Sequence, residues 1–273
     1  MYQAYWNMQK LPFSNHWDAD LFYPAEQAQN ARLKGRYFFE SKYPLILLTG
    51  DSGTGKTVVS YLLKEETKDQ ENLVLSLPFP TLPPSEITTY LAAQILRATS
   101  CGEAIIHLNQ AQALSIVEEA LISVASTGKR ALLLIDDAHL LTEKHLLLLQ
   151  QFLHLTSEGN PLLSLLLLGN NDLPSLLHQI PTLRERAVLA GQLAPLSLGE
   201  SAAYIDYRLS EAKAPQNPFT IKAMEALYYH SGGIPRKLNQ LADLALFTGY
   251  AQGLKVVDYD QIEAISQELT IQS

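Results

Sequence analysis

One octet of the sequence has the residue types and spacing that bind a phosphate chain. It reads Gly50-Asp51-Ser52-Gly53-Thr54-Gly55-Lys56-Thr57, which is the pattern G-x-x-x-x-G-K-T. Glycines let the backbone turn so that successive N–H groups face a phosphate, and a helix that begins there adds its positive end. Lys56 then reaches the terminal phosphates and Thr57 ligates Mg²⁺. An apolar run precedes the octet and a helical pattern follows it, so we predict a nucleotide site that extends to Val58.

Two acidic residues follow a second apolar run, Ala131–Ile135, which has the pattern of a fully buried parallel strand. Open α/β sheets bind ligands at the carboxyl ends of their strands. We predict that Asp136 holds Mg²⁺ through water and that Asp137 lies near the attacking water. The alternative is a strand that ends in a solvated acidic turn.

A third strand end carries Asn170, after the apolar run Leu162–Leu168. A polar side chain at this position is suited to hydrogen-bond the attacking water or the terminal phosphate. The alternative is an ordinary turn, because Asn and Gly are turn formers.

The elements that must position these residues alternate along the chain. Apolar runs predict strands at residues 44–49, 73–77, 131–135, 162–168 and 188–193. Helical patterns lie between them, including one capped by Ser85 and one over residues 142–157. This alternation defines an α/β fold, a parallel sheet flanked by helices. After Pro195 only helical patterns follow, and a Ser197–Glu200 capping box opens the first.

We therefore predict three segments. Residues 1–43 form an N-terminal segment that packs on the core, residues 44–195 form the nucleotide-binding α/β domain, and residues 196–273 form a small all-helical domain.

The composition excludes a general affinity for polyanions, since 47% of residues are hydrophobic, 18% are charged and the net charge is -8. The single cysteine, Cys101, forms no internal disulfide, and no apolar run approaches the ~20 residues of a membrane span. The chain start also lacks a signal-peptide pattern. We expect a cytoplasmic protein without a transmembrane segment in this chain.

Local basic residues that could contact DNA phosphates are Lys34, Arg36, Lys129 and Arg130.

Several stretches together carry a family resemblance. They are Leu11-Pro12-Phe13-Ser14, Leu47-Leu48-Thr49-Gly50, Leu133-Leu134-Ile135-Asp136 and, most specifically, Gly233-Ile234-Pro235-Arg236-Lys237-Leu238-Asn239. In these the chain resembles the AAA+ ATPases, and within them the general secretion pathway protein A (ExeA) family. The resemblance implies that the nucleotide is ATP, bound with Mg²⁺, and that the all-helical domain is a lid.

The resemblance also implies roles for single residues. Asn170 is expected to be the first sensor, and Arg236 the second sensor, which touches the terminal phosphates and couples them to the lid. Arg184 or Arg186 is expected to be an arginine finger in a neighbour's site, worth ~10³–10⁵ in rate. A finger supplied by a neighbour requires a homo-oligomeric ring or filament. The alternative for each arginine is a surface residue whose stem lies on the core.

Two features depart from the family pattern. The family usually has Glu after the metal-binding Asp, where this chain has the shorter Asp137, so we expect slow hydrolysis. Long members continue through a membrane span into a peptidoglycan-binding region, whereas this sequence stops at Ser273. We therefore expect either a free-standing relative or the cytoplasmic part of a longer protein.

Three functions remain open from the sequence. The first is an ATP-driven switch or motor that assembles and acts on an unknown protein client, of the secretion or pilus type. The alternative is a DNA-binding transposition regulator, similar to MuB and TnsC, that forms filaments or rings on duplex DNA. The acidic balance weighs against this alternative, and the short chain and Asp137 favour it. The third is a nucleotide-binding scaffold without hydrolysis.

Overall fold

The five predicted strands form one parallel sheet in the computed structural model, which describes residues 2–16, 18–68, 70–99, 108–157 and 159–271. In chain order the strands are β1 (Leu45–Gly50), β2 (Leu73–Leu77), β3 (Ala131–Ile135), β4 (Thr156–Ser157), β5 (Asn160–Pro161), β6 (Leu163–Gly169) and β7 (Ala187–Leu193). Strands β4 and β5 pair as an antiparallel hairpin, and the other five lie in the order β2-β3-β6-β1-β7. Every residue of β1, β3 and β6 is buried, as expected for central strands covered on both faces.

Helices connect and follow these strands. They are α1 (Tyr2–Tyr5), α2 (Glu26–Glu40), α3 (Lys56–Lys68), α4 (Pro84–Thr99), α5 (Gln110–Ser126), α6 (Glu143–Leu153), α7 (Leu173–Leu176), α8 (Pro181–Arg186), α9 (Leu198–Glu211), α10 (Ile221–Ser231), α11 (Pro235–Ala251) and α12 (Tyr259–Ile271). The predicted fold class, a parallel sheet flanked by helices and followed by helices only, is confirmed.

The chain divides into two compact units. The first unit comprises Met1–Glu26, Ser52–Gly55 and Ala194–Ser273, and the second comprises Gln27–Asp51 and Lys56–Leu193. The predicted segment 1–43 is thus shared between the two units, and the division into three segments stays a prediction.

In the second unit, side chains of β1 alternate between two apolar clusters. Leu45 and Leu47 join a cluster with buried residues of α4, α5 and α6. Ile46 and Leu48 point to the other face, where the cluster includes side chains of α2 and α3. Helices therefore cover both faces of the sheet. Because parallel strands all end at the same edge, the residues that follow β1, β3, β6 and β7 come to one edge.

In the first unit, α9 begins at the predicted capping box. The Ser197 hydroxyl oxygen accepts a bond from the Glu200 N–H, and the Glu200 carboxylate accepts one from the Ser197 N–H at 2.9 Å. Further along, Gly233 has a φ of 71°, and a Cβ there would lie 2.0 Å from the Leu196 carbonyl oxygen. A residue with a Cβ would clash with this carbonyl, so the position requires glycine. The local packing therefore explains the glycine in the stretch Gly233–Asn239.

Arg208 fastens the N-terminal segment to α9. Its buried guanidinium donates hydrogen bonds to the carbonyls of Pro12, Ser14 and Leu21. Burial lowers the pKa of Arg208, and each of the three guanidinium nitrogens still donates one hydrogen bond to a carbonyl. The Trp6 indole N–H donates to the Leu246 carbonyl of α11 at 3.0 Å. Residues up to Glu26 therefore pack with the C-terminal helices.

Two predicted helix boundaries were wrong. Helix α6 ends at Leu153 rather than near residue 157, because Thr156 and Ser157 form strand β4, which pairs with β5. Helix α4 begins at Pro84, and the Pro83 carbonyl accepts its first bond, so Ser85 lies inside the first turn rather than at the cap. Proline is well suited to the first helical position because it needs no N–H partner there.

Within the described parts of the chain, no helix combines the length and the hydrophobicity that crossing a membrane requires. Cys101 lies outside the described residues.

Candidate nucleotide-binding site

The loop after β1 holds the ammonium group of Lys56. Lys56 is the first residue of α3 and is only 9% exposed. Its Nζ donates hydrogen bonds to the carbonyls of Gly50, at 2.8 Å, and Asp51, at 2.9 Å. The lysine is therefore folded back onto the loop that precedes it, with its charge directed to the loop backbone. Val58 follows in the same first helical turn and is half-buried.

The glycine-rich part of the loop packs against the start of α11 within the first unit. Gly53 has a φ of 85°, and a Cβ there would lie 2.8 Å from the Cβ of Arg236. The Arg236 N–H, in the first turn of α11 where it lacks a helical partner, donates to the Gly53 carbonyl at 3.2 Å. The Arg236 side chain is exposed. The remaining loop residues are Ser52, which is exposed, Thr54, which is buried, and Gly55, which is half-buried.

Thr57 and Asp136 meet as the two halves of the predicted metal site. The Thr57 hydroxyl donates to the Asp136 carboxylate at 2.8 Å, although the two residues are 79 positions apart. The other Asp136 oxygen accepts a bond from the Asp137 N–H at 2.9 Å. A hydroxyl and a carboxylate oxygen are ligands that Mg²⁺ prefers, so the residues present fit that ion.

Asp137 is exposed and adopts the left-handed conformation, with φ of 49° and ψ of 36°. Asp and Asn tolerate this conformation better than other non-glycine residues. The carboxylate therefore extends from a turn whose backbone suits a short acidic side chain.

The two asparagines after β6 have different partners. The Asn170 carbonyl oxygen accepts from the Asp172 N–H at 3.0 Å, and its amide donates to the Asp172 carboxylate, so the side chain closes its own turn. The Asn171 amide instead donates to the Asp51 carboxylate in the phosphate loop at 2.9 Å. Sequence reasoning missed Asn171, because adjacent identical residues offer no signal that selects one of them.

The two candidate finger arginines also differ. Arg186 is half-buried, and its guanidinium donates to the Leu153 carbonyl at the end of α6 at 3.0 Å. Arg184 is exposed, and among the described residues its guanidinium has no hydrogen-bond or ion-pair partner.

Three of the four candidate DNA contacts are engaged within the second unit. Arg36 pairs with Glu40 at 2.8 Å and Lys129 with Glu71 at 2.6 Å. Arg130 donates to Ser164 and lies over the ring of Phe39, and burial lowers its pKa to about 10. The fourth candidate, Lys34, is exposed, and no partner for it occurs among the described residues.

Comparison with known proteins decides the family. The sequence profile of the family described as "AAA domain" matches residues 40–177, which include β1, the phosphate loop, β3 and β6. This chain belongs to the AAA domain family. It is accordingly a nucleotide-binding domain of the AAA+ ATPase type.

One curated relative aligns with this chain over nearly its full length. The chain is 29% identical over 277 residues to General secretion pathway protein A of Aeromonas hydrophila, an alignment that covers 99% of this chain and 49% of that protein. The chain thus spans about half the length of the curated relative that it matches. The resemblance to the AAA+ ATPases and to general secretion pathway protein A, inferred from sequence motifs, is confirmed.

Solved structures similar to this AAA domain include two from Aeropyrum pernix. The ORC2 protein, in ADPNP-ADP complexes, superposes with a TM-score of 0.68 at 15% identity and covers 95% of this chain and 72% of that one. The ORC1 protein in complex with DNA gives a TM-score of 0.65 at 17% identity, over 94% of this chain and 68% of that one. At these identities the likeness concerns the fold.

Proposed function

We propose that this protein is a Mg²⁺-dependent ATP hydrolase that works as a self-assembled ring or filament. The observation that carries the proposal is the hydrogen bond between Thr57 and Asp136, which joins the phosphate loop to the acidic end of β3. It brings the metal-binding halves of two separate motifs into contact, as a site for a magnesium-bound triphosphate requires.

The loop residues supply the binding energy for the phosphates. The positive end of α3 attracts the anion, and the Lys56 ammonium exchanges its hydrogen bonds with the carbonyls of Gly50 and Asp51 for bonds with phosphate oxygens. Thr57 and Asp136 hold Mg²⁺, which when bound neutralises charge on the phosphate oxygens.

Asp137 orients the attacking water in this proposal. Its carboxylate is exposed and one methylene shorter than the Glu that the resembling family carries. A shorter reach positions the water less well, so hydrolysis is slow. Asn170 remains a candidate for contact with the water or the terminal phosphate, although opening its bond with Asp172 is then required.

Arg184 is the better candidate for the finger that completes a neighbour's site. It is exposed and lacks a partner in the described parts of the chain, whereas the Arg186 guanidinium is held by the end of α6. Arg236 is the proposed second sensor, supported by the bond of its N–H to Gly53 in the glycine loop.

The client is proposed from the relative alone. The chain matches General secretion pathway protein A along 99% of its own length, so a cytoplasmic role in driving or switching a secretion-type assembly is the first hypothesis. The DNA-binding regulator is the second hypothesis, favoured by the ORC1 structure that holds DNA. It has less support, because Arg36, Lys129 and Arg130 are engaged internally.

Mixing two inactive variants tests hydrolysis and assembly together. Asp137→Asn keeps the finger and loses the water-orienting carboxylate, and Arg184→Ala keeps the carboxylate and loses the finger. We expect each variant alone to release phosphate from ATP about 10²-fold or more below wild type, and the mixture to recover part of the rate. Recovery requires that one subunit completes the site of another.

The matched control is Arg186→Ala, two residues away on the same helix, which we expect to release phosphate at close to the wild-type rate by itself. An Arg186→Ala variant that is inactive alone and recovers when mixed with Asp137→Asn, beside an active Arg184→Ala, would transfer the finger role to Arg186. No recovery in either mixture, with an active wild type, would contradict the shared site. Assembly that occurs only when duplex DNA is added, and that weakens steeply with salt, would favour the DNA-binding alternative.

A further inference from the structure

A line of side-chain hydrogen bonds crosses the ends of three neighbouring strands in the second unit. Asp51 follows β1, Asn171 follows β6, and Gln192 lies near the end of β7. The Asn171 Nδ2 donates to the Asp51 Oδ1 at 2.9 Å, and the Gln192 Nε2 donates to the Asn171 Oδ1 at 3.0 Å. Strand β1 lies between β6 and β7 in the sheet, so the line spans adjacent strand ends.

Both ends of the Asn171 amide are therefore occupied. Its NH₂ group faces a carboxylate, which only accepts, and its oxygen faces the donating NH₂ group of Gln192. The reversed amide would place donor against donor and acceptor against acceptor. The Asp51 carboxylate thus sets which end of the Asn171 amide faces it, and the Gln192 NH₂ group holds the remaining amide oxygen.

Asp51 introduces a negative charge into the loop that must receive a phosphate chain. Its backbone carbonyl accepts the bond from the Lys56 ammonium at 2.9 Å, so the position of Asp51 also bears on the position of Lys56. A carboxylate that moved freely here would repel phosphate oxygens and compete for the lysine. A bond from an amide to a carboxylate is charge-assisted and restricts that movement.

We infer that Asn171 is a positioning residue that holds the Asp51 carboxylate at the end of β6, with Gln192 holding the amide oxygen of Asn171. The inference rests on the proposed function, because it concerns how the loop is kept ready for ATP. It gives Asn171 an effect on ATP affinity through Asp51 and assigns it no contact with ATP.

A swap of the two side chains is the sharpest test. Asn171→Asp alone sets two carboxylates against each other, and Asp51→Asn alone leaves two amides. The double variant, Asp51→Asn with Asn171→Asp, restores an amide–carboxylate pair with an unchanged net charge. We expect Asn171→Asp to weaken Mg²⁺–ATP binding, measured by calorimetry, by about threefold to tenfold, and the double variant to recover wild-type affinity.

Truncation gives a second, independent measurement. We expect Asn171→Ala to weaken ATP binding about threefold to tenfold in the wild-type background and to have no effect when Asp51→Ala is already present. Gln192→Ala should weaken binding in the same direction by less. The rate of hydrolysis in a single turnover at saturating ATP should be equal for wild type and Asn171→Ala, because the residue acts on binding.

The contrary results are distinct. Equal loss of affinity from Asn171→Ala with and without Asp51 would mean that Asn171 acts directly on ATP or on folding, and would overturn the inference. Unchanged affinity in Asn171→Ala, or a slower single turnover, would do the same while leaving the proposed function intact. A wild-type protein that does not bind ATP would overturn the proposed function first.

Discussion

At the scale of single residues, the phosphate loop already provides hydrogen-bond acceptors for the buried ammonium of Lys56. The Lys56 ammonium already has two oxygen acceptors in the loop carbonyls of Gly50 and Asp51. Replacing these acceptors by phosphate oxygens keeps the ammonium hydrogen-bonded and adds an opposite charge. In the proposed function, this buried charge is therefore hydrogen-bonded both before and after ATP binds.

Asp137 offers a prediction at the same scale. Asp137→Glu adds the methylene that the resembling family carries, and we expect the hydrolysis rate to rise by about tenfold, because the carboxylate reaches further toward the water. The backbone at this position is left-handed, a conformation that Glu tolerates less well than Asp. We therefore expect Asp137→Glu to lower the free energy of unfolding by about 1 kcal/mol. Steady-state phosphate release and chemical denaturation measure the two effects.

The matched variant is Asp137→Ala, which should lower the rate by about 10²-fold and leave ATP affinity within about twofold of wild type. Wild-type turnover at rates typical of fast ATPases, lost in Asp137→Ala, would contradict slow hydrolysis. An unaffected rate in Asp137→Ala would remove the residue from the reaction.

Residues inside the contiguous motifs were predictable, because the order G-x-x-x-x-G-K-T sets their relative positions along the chain. Asn171 and Gln192 were not predictable. They meet Asp51 only because β6 and β7 both lie beside β1, and no local pattern encodes that order. The difference between Arg184 and Arg186 likewise depends on the end of α6, 33 positions away from Arg186.

At the scale of elements, α9 provides a prediction about pH. Hydrogen bonds from the Ser197 N–H and hydroxyl hold the pKa of Glu200 below its ordinary value. Because the folded state lowers this pKa, the stabilisation is complete above the unfolded value of about 4.3 and is lost as the pH falls through the folded value. Glu200→Ala should therefore cost about 1 kcal/mol near neutral pH and almost nothing in more acidic solution.

Denaturation followed by tryptophan fluorescence suits this measurement, since Trp6 is buried in the first unit, where its indole N–H donates to the Leu246 carbonyl. Glu225→Ala is the control, an exposed position on α10 where we expect a change within about 0.5 kcal/mol at every pH. A cost of Glu200→Ala that persists unchanged in acid would contradict the role of its ionised carboxylate.

The strands were the most predictable elements, because central parallel strands are uniformly apolar and are bounded by turn residues. Helix α6 was predicted too long, since its leucine-rich pattern continues to Leu155 while residues beyond it pair in the β4–β5 hairpin. The start of α4 at Pro84 was missed because a proline cluster usually indicates a loop. Strand pairing in the β4–β5 hairpin limits the end of α6, and the hydrogen bond accepted by the Pro83 carbonyl marks the start of α4. Residue composition alone predicts neither boundary.

At the scale of the whole molecule, the chain groups its segments differently from their order in sequence. The first 26 residues join the C-terminal helices, partly through Arg208, which binds three carbonyls of the N-terminal segment. Ser52–Gly55 join the same unit, through contacts such as that of Gly53 with Arg236. The sequence-based prediction places residues 1–43 in one segment, because no local pattern indicates these long-range contacts.

The central claim is that the phosphate loop and the acidic end of β3 hydrolyse ATP with Mg²⁺. The most direct measurement is phosphate release from ATP over long incubation, with and without Mg²⁺, for wild type and Lys56→Ala. Lys144→Ala, which removes an exposed lysine of α6, is the matched control. We predict slow, Mg²⁺-dependent release by wild type and Lys144→Ala, and a rate about 10²-fold lower for Lys56→Ala. Release that is absent from wild type, or equal in Lys56→Ala, would contradict the account.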